Sequence, residues 1–498
     1  MILNMKYTST RNKTVSISSS EAIIQGISKD GGLFVPTNIP KLNNIMDLKE
    51  MNYKELAFII MSKFFTDFKS NDLKNCIDKA YDIKFSKKEI APLVNVGDVF
   101  FLELFHGPTL AFKDMALSIL PYLLKEAIRI NKIDKEVVIL TATSGDTGKA
   151  ALESFANVDG IKIVVFFPED GVSEIQKRQM ITQEGINTFV VGINGNFDDA
   201  QNGVKEIFNN NDFANLLYKN NYILSSANSI NIGRLIPQIV YYFYGYLTLL
   251  KEGKIKNNEK INIVVPTGNF GNILAAYYAK EMGLPINKLI CASNENNILT
   301  DFINTGIYDK RRELILTSSP SMDILISSNL ERLLFHISGE DDMFIRTKMD
   351  DLARQGYYKI DNLNLKYFYG AYSTEKQVSF SINNMFVKNK YLIDPHTAVA
   401  YNVHEKYKLE TCDDTKTIIA STASPFKFGS KVASSIDIDV KNKDEFNIIK
   451  ELASKTNIEI PRAIANLENK EVLHENNCNK ENMKYLVEKF LEVGGIDD

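Results

Sequence analysis

Short apolar runs recur between about residues 100 and 300, and each is followed by a stretch whose apolar positions have helical spacing. The runs read EVVIL, KIVVFF, TFVVGI, YILSS, INIVV and KLICAS. Continuous apolar strands that alternate with helices are typical of a parallel sheet covered on both faces. The pattern therefore predicts an α/β core built around parallel sheets.

The chain on either side of this core has a different pattern. Residues 1–92 contain mostly helical spacing and predict an α-rich N-terminal domain. The core is predicted over residues 93–435, with a smaller lobe at roughly 110–230 and a mainly helical stretch from about 300 to 390. The charged end, residues 436–498, predicts a helical C-terminal cap.

Composition and charge narrow the functional classes. The 498 residues carry a net charge of -4, which gives no reason to expect nucleic acid or an anionic membrane as a partner. The four cysteines are scattered, so we predict reduced thiols and no bound metal. The N-terminus lacks the apolar core of a signal peptide, and we expect a cytoplasmic protein. The apolar stretch 235–250 is too short to span a bilayer and predicts a core or subunit-interface helix.

Two glycine-containing turns follow predicted strands and open predicted helices. They are TSGDTGKAA at 143–151 and TGNFGN at 267–272. Glycine allows a close approach of the backbone, and the free N–H groups of a helix start attract an anion. The second turn is the better phosphate site, because Asn269 and Asn272 add side-chain donors. Either turn can instead be an ordinary helix start whose polar residues serve only as caps.

A third predicted strand ends in ANSINIGRL, residues 227–235. Asn228, Ser229 and Arg234 open the long helix that follows. Arginine offers a bidentate fork to phosphate or carboxylate. The alternative is a surface arginine near a helix start, which is common.

Lys113 lies in HGPTLAFKDMAL, with apolar residues on both sides. Such a lysine can extend its ammonium group to water, or it can be a desolvated amine that acts as nucleophile or base. Beside phosphate-binding turns, a buried amine indicates pyridoxal 5'-phosphate, which has an aldehyde for lysine and a phosphate for a helix start. The sequence gives no role to the next residue, Asp114.

HGPTLAFKDMAL, TSGDTGKAA, GNFGN and STASPFKF occur here in the order found in threonine synthases, and together they resemble that family. The start of the chain is similar to the N-terminal domain of the longer bacterial and fungal type. The resemblance runs from residue 5 to at least residue 430. It implies the tryptophan synthase β-like fold of the fold type II enzymes, with two three-layer α/β/α domains around parallel sheets and an α-rich N-terminal domain.

The resemblance also implies cofactor-binding residues. Lys113 matches the lysine that forms a Schiff base with pyridoxal 5'-phosphate. Asp146 matches the position facing the 3-hydroxyl of the pyridoxal ring, and Thr422 matches the hydroxyl that contacts the pyridine nitrogen. The loop matching the one that binds the cofactor phosphate consists of Gly268, Asn269, Phe270, Gly271 and Asn272.

Substrate-binding residues follow from the same resemblance. Ser144 and Thr147 lie in the loop expected to hold the substrate carboxylate. Asn228, Ser229 and Arg234 match a substrate-phosphate pocket of shorter family members. Many threonine synthases have histidine where this chain has Ser424, which weakens any role argued for a histidine there.

The implied reaction converts O-phospho-L-homoserine and water to L-threonine and phosphate, with Lys113 as the main acid–base group. A serine/threonine dehydratase or a phospholyase on the same fold stays open as an alternative. So does a non-catalytic sensor of a phosphorylated metabolite. Relatives include monomers and dimers, so we expect a monomer or homodimer.

Overall fold

The computed structural model describes residues 4–143, 145–169, 172–361 and 364–494. The strands are β1 (Tyr7–Ser9), β2 (Asn12–Ile17), β3 (Phe34–Pro36), β4 (Leu93–Val96), β5 (Val99–Glu103), β6 (Glu136–Ala142), β7 (Ile161–Pro168), β8 (Thr188–Ile193), β9 (Tyr222–Ser225), β10 (Ile261–Pro266), β11 (Ile286–Ser293), β12 (Ile307–Asp309), β13 (Tyr357–Lys359), β14 (Phe368–Tyr372), β15 (Thr417–Ser421) and β16 (Asn476–Cys478).

The α-helices are α1 (Ser19–Gln25), α2 (Tyr53–Phe64), α3 (Ser70–Ala80), α4 (Asp114–Leu117), α5 (Leu120–Ile130), α6 (Asp146–Phe155), α7 (Glu174–Ile181), α8 (Phe197–Phe208), α9 (Asn211–Lys219), α10 (Ile232–Lys251), α11 (Gly271–Glu281), α12 (Ile298–Thr305), α13 (Leu330–Ile337), α14 (Asp342–Gln355), α15 (Glu375–Asn389), α16 (Pro395–Thr411), α17 (Gly429–Ser435), α18 (Glu445–Thr456), α19 (Arg462–Ala465) and α20 (Met483–Leu491). Two short 3-10 helices, Pro320–Met322 and Pro425–Phe428, matter for the site.

The N-terminal unit contains the helices α1, α2 and α3 that the sequence predicts, each opening at a polar stretch. Ser18 caps α1 in a capping box with Glu21, which fixes where that helix begins. The unit also contains a small antiparallel sheet in the order β2-β1-β3. The mostly helical spacing of residues 1–92 did not predict this sheet.

Two sheets form the α/β core, as predicted. The smaller sheet has the order β16-β8-β7-β6-β9, and all its neighbouring strands are parallel. The larger sheet has the order β14-β11-β10-β15-β5-β4, with β4 antiparallel to β5 and the other pairs parallel. Every residue of β10 and β15 is buried, which agrees with their mainly apolar sequences, INIVVP and TIIAS.

The C-terminal segment contacts both sheet regions. Helix α18 packs on α17, beside the larger sheet, as a helical cap would. Farther along, β16 joins the edge of the smaller sheet, and α20 buries Met483, Val487 and Leu491 in the same apolar core as β6 and β7. The domain boundaries inferred from the sequence stay predictions.

Helix α10 is buried along most of its length and packs against α2 and α11, so it is a core helix. Within the described ranges, no helix is long and apolar enough to cross a membrane. The cytoplasmic location and the oligomeric state stay predictions.

Candidate active site

The predicted site residues lie on segments that leave the carboxyl ends of five strands. In the larger sheet, the neighbouring strands β5, β15 and β10 lead to Lys113, Thr422 and the loop 268–272. In the smaller sheet, the neighbours β6 and β9 lead to the turn 143–148 and to the start of α10. The two edges meet, because Nζ of Lys113 lies 3.7 Å from Oδ2 of Asp146. Ligands of open parallel sheets bind at such edges.

Lys113 immediately precedes α4 and has only 12% of its side chain exposed. Its Nζ donates a hydrogen bond to Oγ of Ser321 at 2.9 Å. Burial lowers the pKa of Lys113 to about 8; the carboxylate of Asp146 opposes this shift, and the charges of Lys427 and Arg234 add to it. Near neutral pH, a much larger share of this amine is therefore unprotonated than in an exposed lysine.

Asp114 holds the turn that presents Lys113. Its Oδ2 accepts a bond from the backbone N–H of Thr109 at 2.8 Å, and its Oδ1 accepts one from the Thr109 hydroxyl at 2.5 Å. Within this turn Leu110 has a φ of +62°, a conformation that non-glycine residues rarely adopt. Burial raises the pKa of Asp114 to about 6 despite these bonds. The role that the sequence left unexplained is thus to fix the backbone before the lysine.

Asp146 is shared between two buried lysines. Its Oδ1 lies 2.6 Å from Nζ of Lys427 and accepts a bond from the Gln176 amide at 2.8 Å. Its Oδ2 faces Lys113 and accepts a 3.3 Å bond from the hydroxyl of Ser321. Burial favours the neutral acid, but the ammonium groups of Lys427 and Lys113 outweigh it and hold the pKa of Asp146 well below its usual value. The carboxyl group is therefore ionised.

The turn before α6 is shaped by Gly145, which has a φ of +136°. A Cβ at this position would lie 2.5 Å from the side chain of Gln176, so only glycine fits. The hydroxyl of Thr143 accepts bonds from the backbone N–H groups of Gly145 and Gly148. The N-cap residue Gly145 has no side chain to cap α6, so Thr143 accepts the bond from the N–H of Gly148 in the first turn, and Thr147 is half-buried there. Ser144 lies outside the described residues.

The loop 268–272 brings its backbone close to the Ser321 segment. A Cβ on Gly268 would lie 2.4 Å from the carbonyl oxygen of Ser321. Phe270 has a φ of +63° directly before α11, and no side chain of the described residues caps that helix. The carbonyl oxygen of Asn269 instead accepts bonds from the backbone and side-chain nitrogens of Asn329, at 3.1 and 2.9 Å. The loop is thus held by its carbonyl groups, and the N–H groups of the helix start are left for a ligand.

Two buried donor nitrogens at this edge have no hydrogen-bond partner in the part of the chain that is described. Oδ1 of Asn272 accepts bonds from the hydroxyls of Tyr241 and Tyr242, which leaves its Nδ2 unpartnered. Arg234 donates from Nη1 to the carbonyl oxygen of Ala227 at 3.0 Å, but its buried Nε is unpartnered. Burial lowers the pKa of Arg234 to about 10. Buried donors without partners are rare in folded proteins and mark positions where a ligand can bind.

Asn228 and Ser229 lie half-buried before α10. The carbonyl oxygen of Ser229 accepts a 3.3 Å bond from the side chain of Asn329, the residue that also holds Asn269. Among the described residues no hydrogen bond joins the side chains of Asn228, Ser229 or Thr147 to Lys113. These three residues therefore lie on the segments that form the site, but their side chains are not bonded to Lys113 among the described residues.

Thr422 is tied to the lysine turn through the backbone. Its carbonyl oxygen accepts a bond from the N–H of Phe112 at 2.8 Å, and the N–H of Ser424 donates to the carbonyl of Leu110 at 3.0 Å. Only 5% of the surface of Thr422 is exposed, so this residue is almost completely buried. Ser424 accepts a bond from the N–H of Phe426 and caps a 3-10 helix.

Sequence reasoning missed three residues of this site: Ser321, Gln176 and Lys427. Lys427 lies within STASPFKF, but only Thr422 was singled out there. Its neighbours Pro425, Phe426 and Phe428 are apolar, the same signal that marked Lys113. Ser321 and Gln176 have no comparable local signal, because their partners lie far away in the chain.

Comparison with known proteins agrees with this geometry. The family model "Threonine synthase N terminus" matches residues 6–81, and the model "Pyridoxal-phosphate dependent enzyme" matches residues 87–422. A threonine synthase of Saccharomyces cerevisiae is 35% identical over 461 residues, which cover 86% of this chain and 88% of the yeast protein. The chain belongs to the threonine synthase family. The resemblance drawn from the sequence motifs is thereby confirmed.

The chain also matches a longer protein and a solved structure. Human "Threonine synthase-like 1" is 42% identical over 441 residues, which cover 85% of this chain. The chain spans 58% of the length of that curated relative. The crystal structure of a PLP-bound threonine synthase from Brucella melitensis matches with a TM-score of 0.86 and 34% identity, covering 98% of this chain and 99% of the other. The predicted fold type II architecture is confirmed.

Proposed function

We propose that this protein is a pyridoxal-phosphate-dependent threonine synthase, which converts O-phospho-L-homoserine and water to L-threonine and phosphate. The observation that carries the proposal is Arg234, a buried guanidinium group beside Lys113 with an unpartnered Nε and no carboxylate partner among the described residues. A cation in this state favours a second anion next to the reactive amine. A phosphorylated amino acid supplies that anion, whereas a plain hydroxy amino acid does not.

The donors of the site fit pyridoxal 5'-phosphate. The amine of Lys113, the start of α11 after the loop 268–272, and the free Nδ2 of Asn272 offer an amine and several N–H groups. Such a set suits one aldehyde and one phosphate. When bound, the cofactor would supply an aldehyde for the lysine amine and a ring that withdraws electrons from the substrate α carbon. We propose that Asp146 and Thr422 hold the ring.

The substrate side of the site has its own set of groups. We propose that Thr147, Ser144 and the start of α6 bind the substrate carboxylate, because backbone N–H groups there can approach it closely. Arg234, with Asn228 and Ser229, binds the substrate phosphate. Held at two separate points, the two anions orient the carbon chain of the substrate.

Proton transfer falls to Nζ of Lys113. Its lowered pKa lets the free amine take the α proton, and the resulting ammonium can return a proton to the γ carbon after the C–O bond to phosphate breaks. A second proton leaves the β carbon before phosphate departs, and water then adds its hydroxyl there. The α carbon regains a proton and the remaining proton of water leaves with phosphate, so one C–O bond is lost and one is formed. The ionised Asp146, 3.7 Å away, stabilises the ammonium form of Lys113 between these two transfers.

The proposal is tested with the purified full chain, pyridoxal 5'-phosphate and O-phospho-L-homoserine. We expect phosphate release matched one to one by threonine, and an absorbance band near the visible edge. Lys113→Ala should lose both, whereas Lys149→Ala, a matched loss of another buried lysine, should keep the band. Formation of 2-oxobutyrate instead of threonine would replace the proposal with a phospholyase, and a chain without the band would favour the sensor.

A further inference from the structure

Lys427 is a fully buried cation of the site. Its side chain is 0% exposed, and its Nζ donates to the carbonyl oxygen of Thr109 at 2.9 Å. The same Nζ lies 2.6 Å from Oδ1 of Asp146. The distance from the other oxygen of Asp146 to Lys113 is 3.7 Å. The carboxylate is therefore shared unequally, with the closer contact made to Lys427.

Four side chains face the amine of Lys113 from four elements. Asp146 comes from α6, Lys427 from the 3-10 helix 425–428, Arg234 from α10 and Ser321 from the 3-10 helix 320–322. Ser321 is neutral, and the two cations outnumber the one carboxylate. In a dry pocket a nearby cation disfavours the protonated amine, and a carboxylate already paired with another cation favours it less.

We propose that Lys427 is a positioning residue for Lys113: by occupying Asp146, its ammonium group keeps the amine of Lys113 available as an unprotonated nucleophile and base. Lys427 acts on Lys113 through Asp146 and also by direct repulsion. The catalytic purpose of this role rests on the proposed function. The protonation of the Lys113 amine, however, is a property that the protein has without catalysis. It is therefore measurable on the protein free of cofactor.

The test measures the reactivity of Lys113 itself. Cofactor-free protein is pulsed with acetic anhydride from about pH 6 to about pH 10, and acetylation of Lys113 is read by peptide mass spectrometry. The wild-type rate should be half-maximal near the pKa of about 8. In Lys427→Met the midpoint should rise by about one to two units, which slows labelling at neutral pH about 10- to 100-fold. In Asp146→Asn it should fall, because the attracting carboxylate is gone.

The opposite signs separate this role from mere loosening of the pocket, which would raise the midpoint in both variants by admitting water. Lys149→Met is the matched control: Lys149 is buried on α6 but pairs with Glu153, so the Lys113 midpoint should not move. Labelling of Lys149 in the wild type and in the variants at positions 427 and 146 reports whether the fold is intact. In the double variant Lys427→Met/Asp146→Asn the effect of losing Lys427 should shrink. An unchanged or lowered midpoint in Lys427→Met, or a raised one in Asp146→Asn, would overturn the proposal, whatever the enzyme assay gives.

Discussion

Arg234, at the start of α10, and Arg332, on α13, are both buried, with 3% and 0% of their surface exposed. Burial lowers the pKa of each to about 10. In Arg332 all three nitrogens donate, to the carbonyl oxygens of Phe34 and Ile230 and to the side chain of Asn329. In Arg234 only Nη1 has a partner among the described residues, the carbonyl oxygen of Ala227.

The difference separates two uses of a buried cation. Arg332 joins strand β3 of the N-terminal unit to the segment before α10 and to the residue that holds Asn269, so its bonds are part of the fold. The Nε of Arg234 has no hydrogen-bond partner among the described residues, and its charge acts on Lys113. A buried polar group with satisfied bonds stabilises the structure, whereas an unsatisfied one costs stability and indicates a binding site. Burial and pKa alone do not distinguish the two.

The largest effect should come from Arg332→Met. The substitution leaves buried acceptors on Phe34, Ile230 and Asn329 without their donor, and each such loss costs about 1–3 kcal/mol. We expect the free energy of unfolding in urea to fall by about 4 kcal/mol. Arg354→Met, the same change at an exposed position on α14, should shift it by less than about 0.5 kcal/mol. Equal changes in the free energy of unfolding of the two variants would show that the bonds of Arg332 do not stabilise the fold.

Arg234→Met should have the opposite effect: the fold keeps its stability and the proposed activity is lost. Replacing a buried cation that lacks a counterion with an apolar side chain should leave the free energy of unfolding unchanged or higher. Loss of the charged hydrogen bonds to the substrate phosphate should lower kcat/KM about 100-fold, or about 2.7 kcal/mol. Steady-state kinetics with O-phospho-L-homoserine and urea unfolding measure the two quantities. If the variant is destabilised and keeps its kcat/KM, Arg234 has a structural role like that of Arg332 and does not bind the substrate.

The two arginines also mark what the sequence could and could not predict. Arg234 was identified because it follows a strand and opens a helix, and strand ends of a parallel sheet share one edge. Arg332 gave no signal, since its acceptor on Phe34 is 298 residues away in the chain. Ser321 was missed for the same reason, with its partner Lys113 208 residues away. Local pattern predicts which segments reach the site, and long-range packing decides which side chains complete it.

The strands of the fold show the same difference between what local pattern predicts and what long-range packing decides. The strands β6, β7, β8, β9, β10 and β11 were predicted from their apolar sequences. The edge strand β16 reads NNC, and β1 and β2 are short or half-exposed, so they lack an apolar run. Strand β14 reads FYGAY, in a stretch predicted as helices and loops. The strand order was not predictable either, because β15 pairs between β10 and β5 after more than a hundred intervening residues.

A smaller effect should come from inorganic phosphate on the cofactor-loaded protein. If Arg234 holds a phosphate, phosphate at about ten times its Kd should raise the free energy of unfolding by about 1.4 kcal/mol. In Arg234→Met the increment should nearly vanish, and in Arg354→Met it should persist. Chloride at equal ionic strength controls for screening. The same increment in wild type and Arg234→Met would place the bound phosphate elsewhere and leave the unpartnered Nε without a ligand.

The smallest effect concerns pH and belongs to the Arg332 region. Burial lowers the pKa of His336 to about 4, and the charge of Arg332 adds to the shift. The unfolded chain, with a histidine pKa of about 6.5, binds the proton first, so stability present above about pH 6.5 is lost as the pH falls towards 4. From about pH 7 to 5.5 the loss attributable to His336 should be about 1.2 kcal/mol.

Urea unfolding at these two pH values, in wild type and in His336→Phe, isolates this contribution from that of the other histidines. The loss of the bond between His336 and Tyr278 changes the stability of the variant at both pH values alike and cancels in the difference. Arg234→Met should keep the wild-type pH dependence, because His336 is perturbed by Arg332 and not by Arg234. If His336→Phe and wild type lose the same free energy on acidification, His336 is not held neutral beside Arg332, and the charge of this region is better screened than its burial indicates.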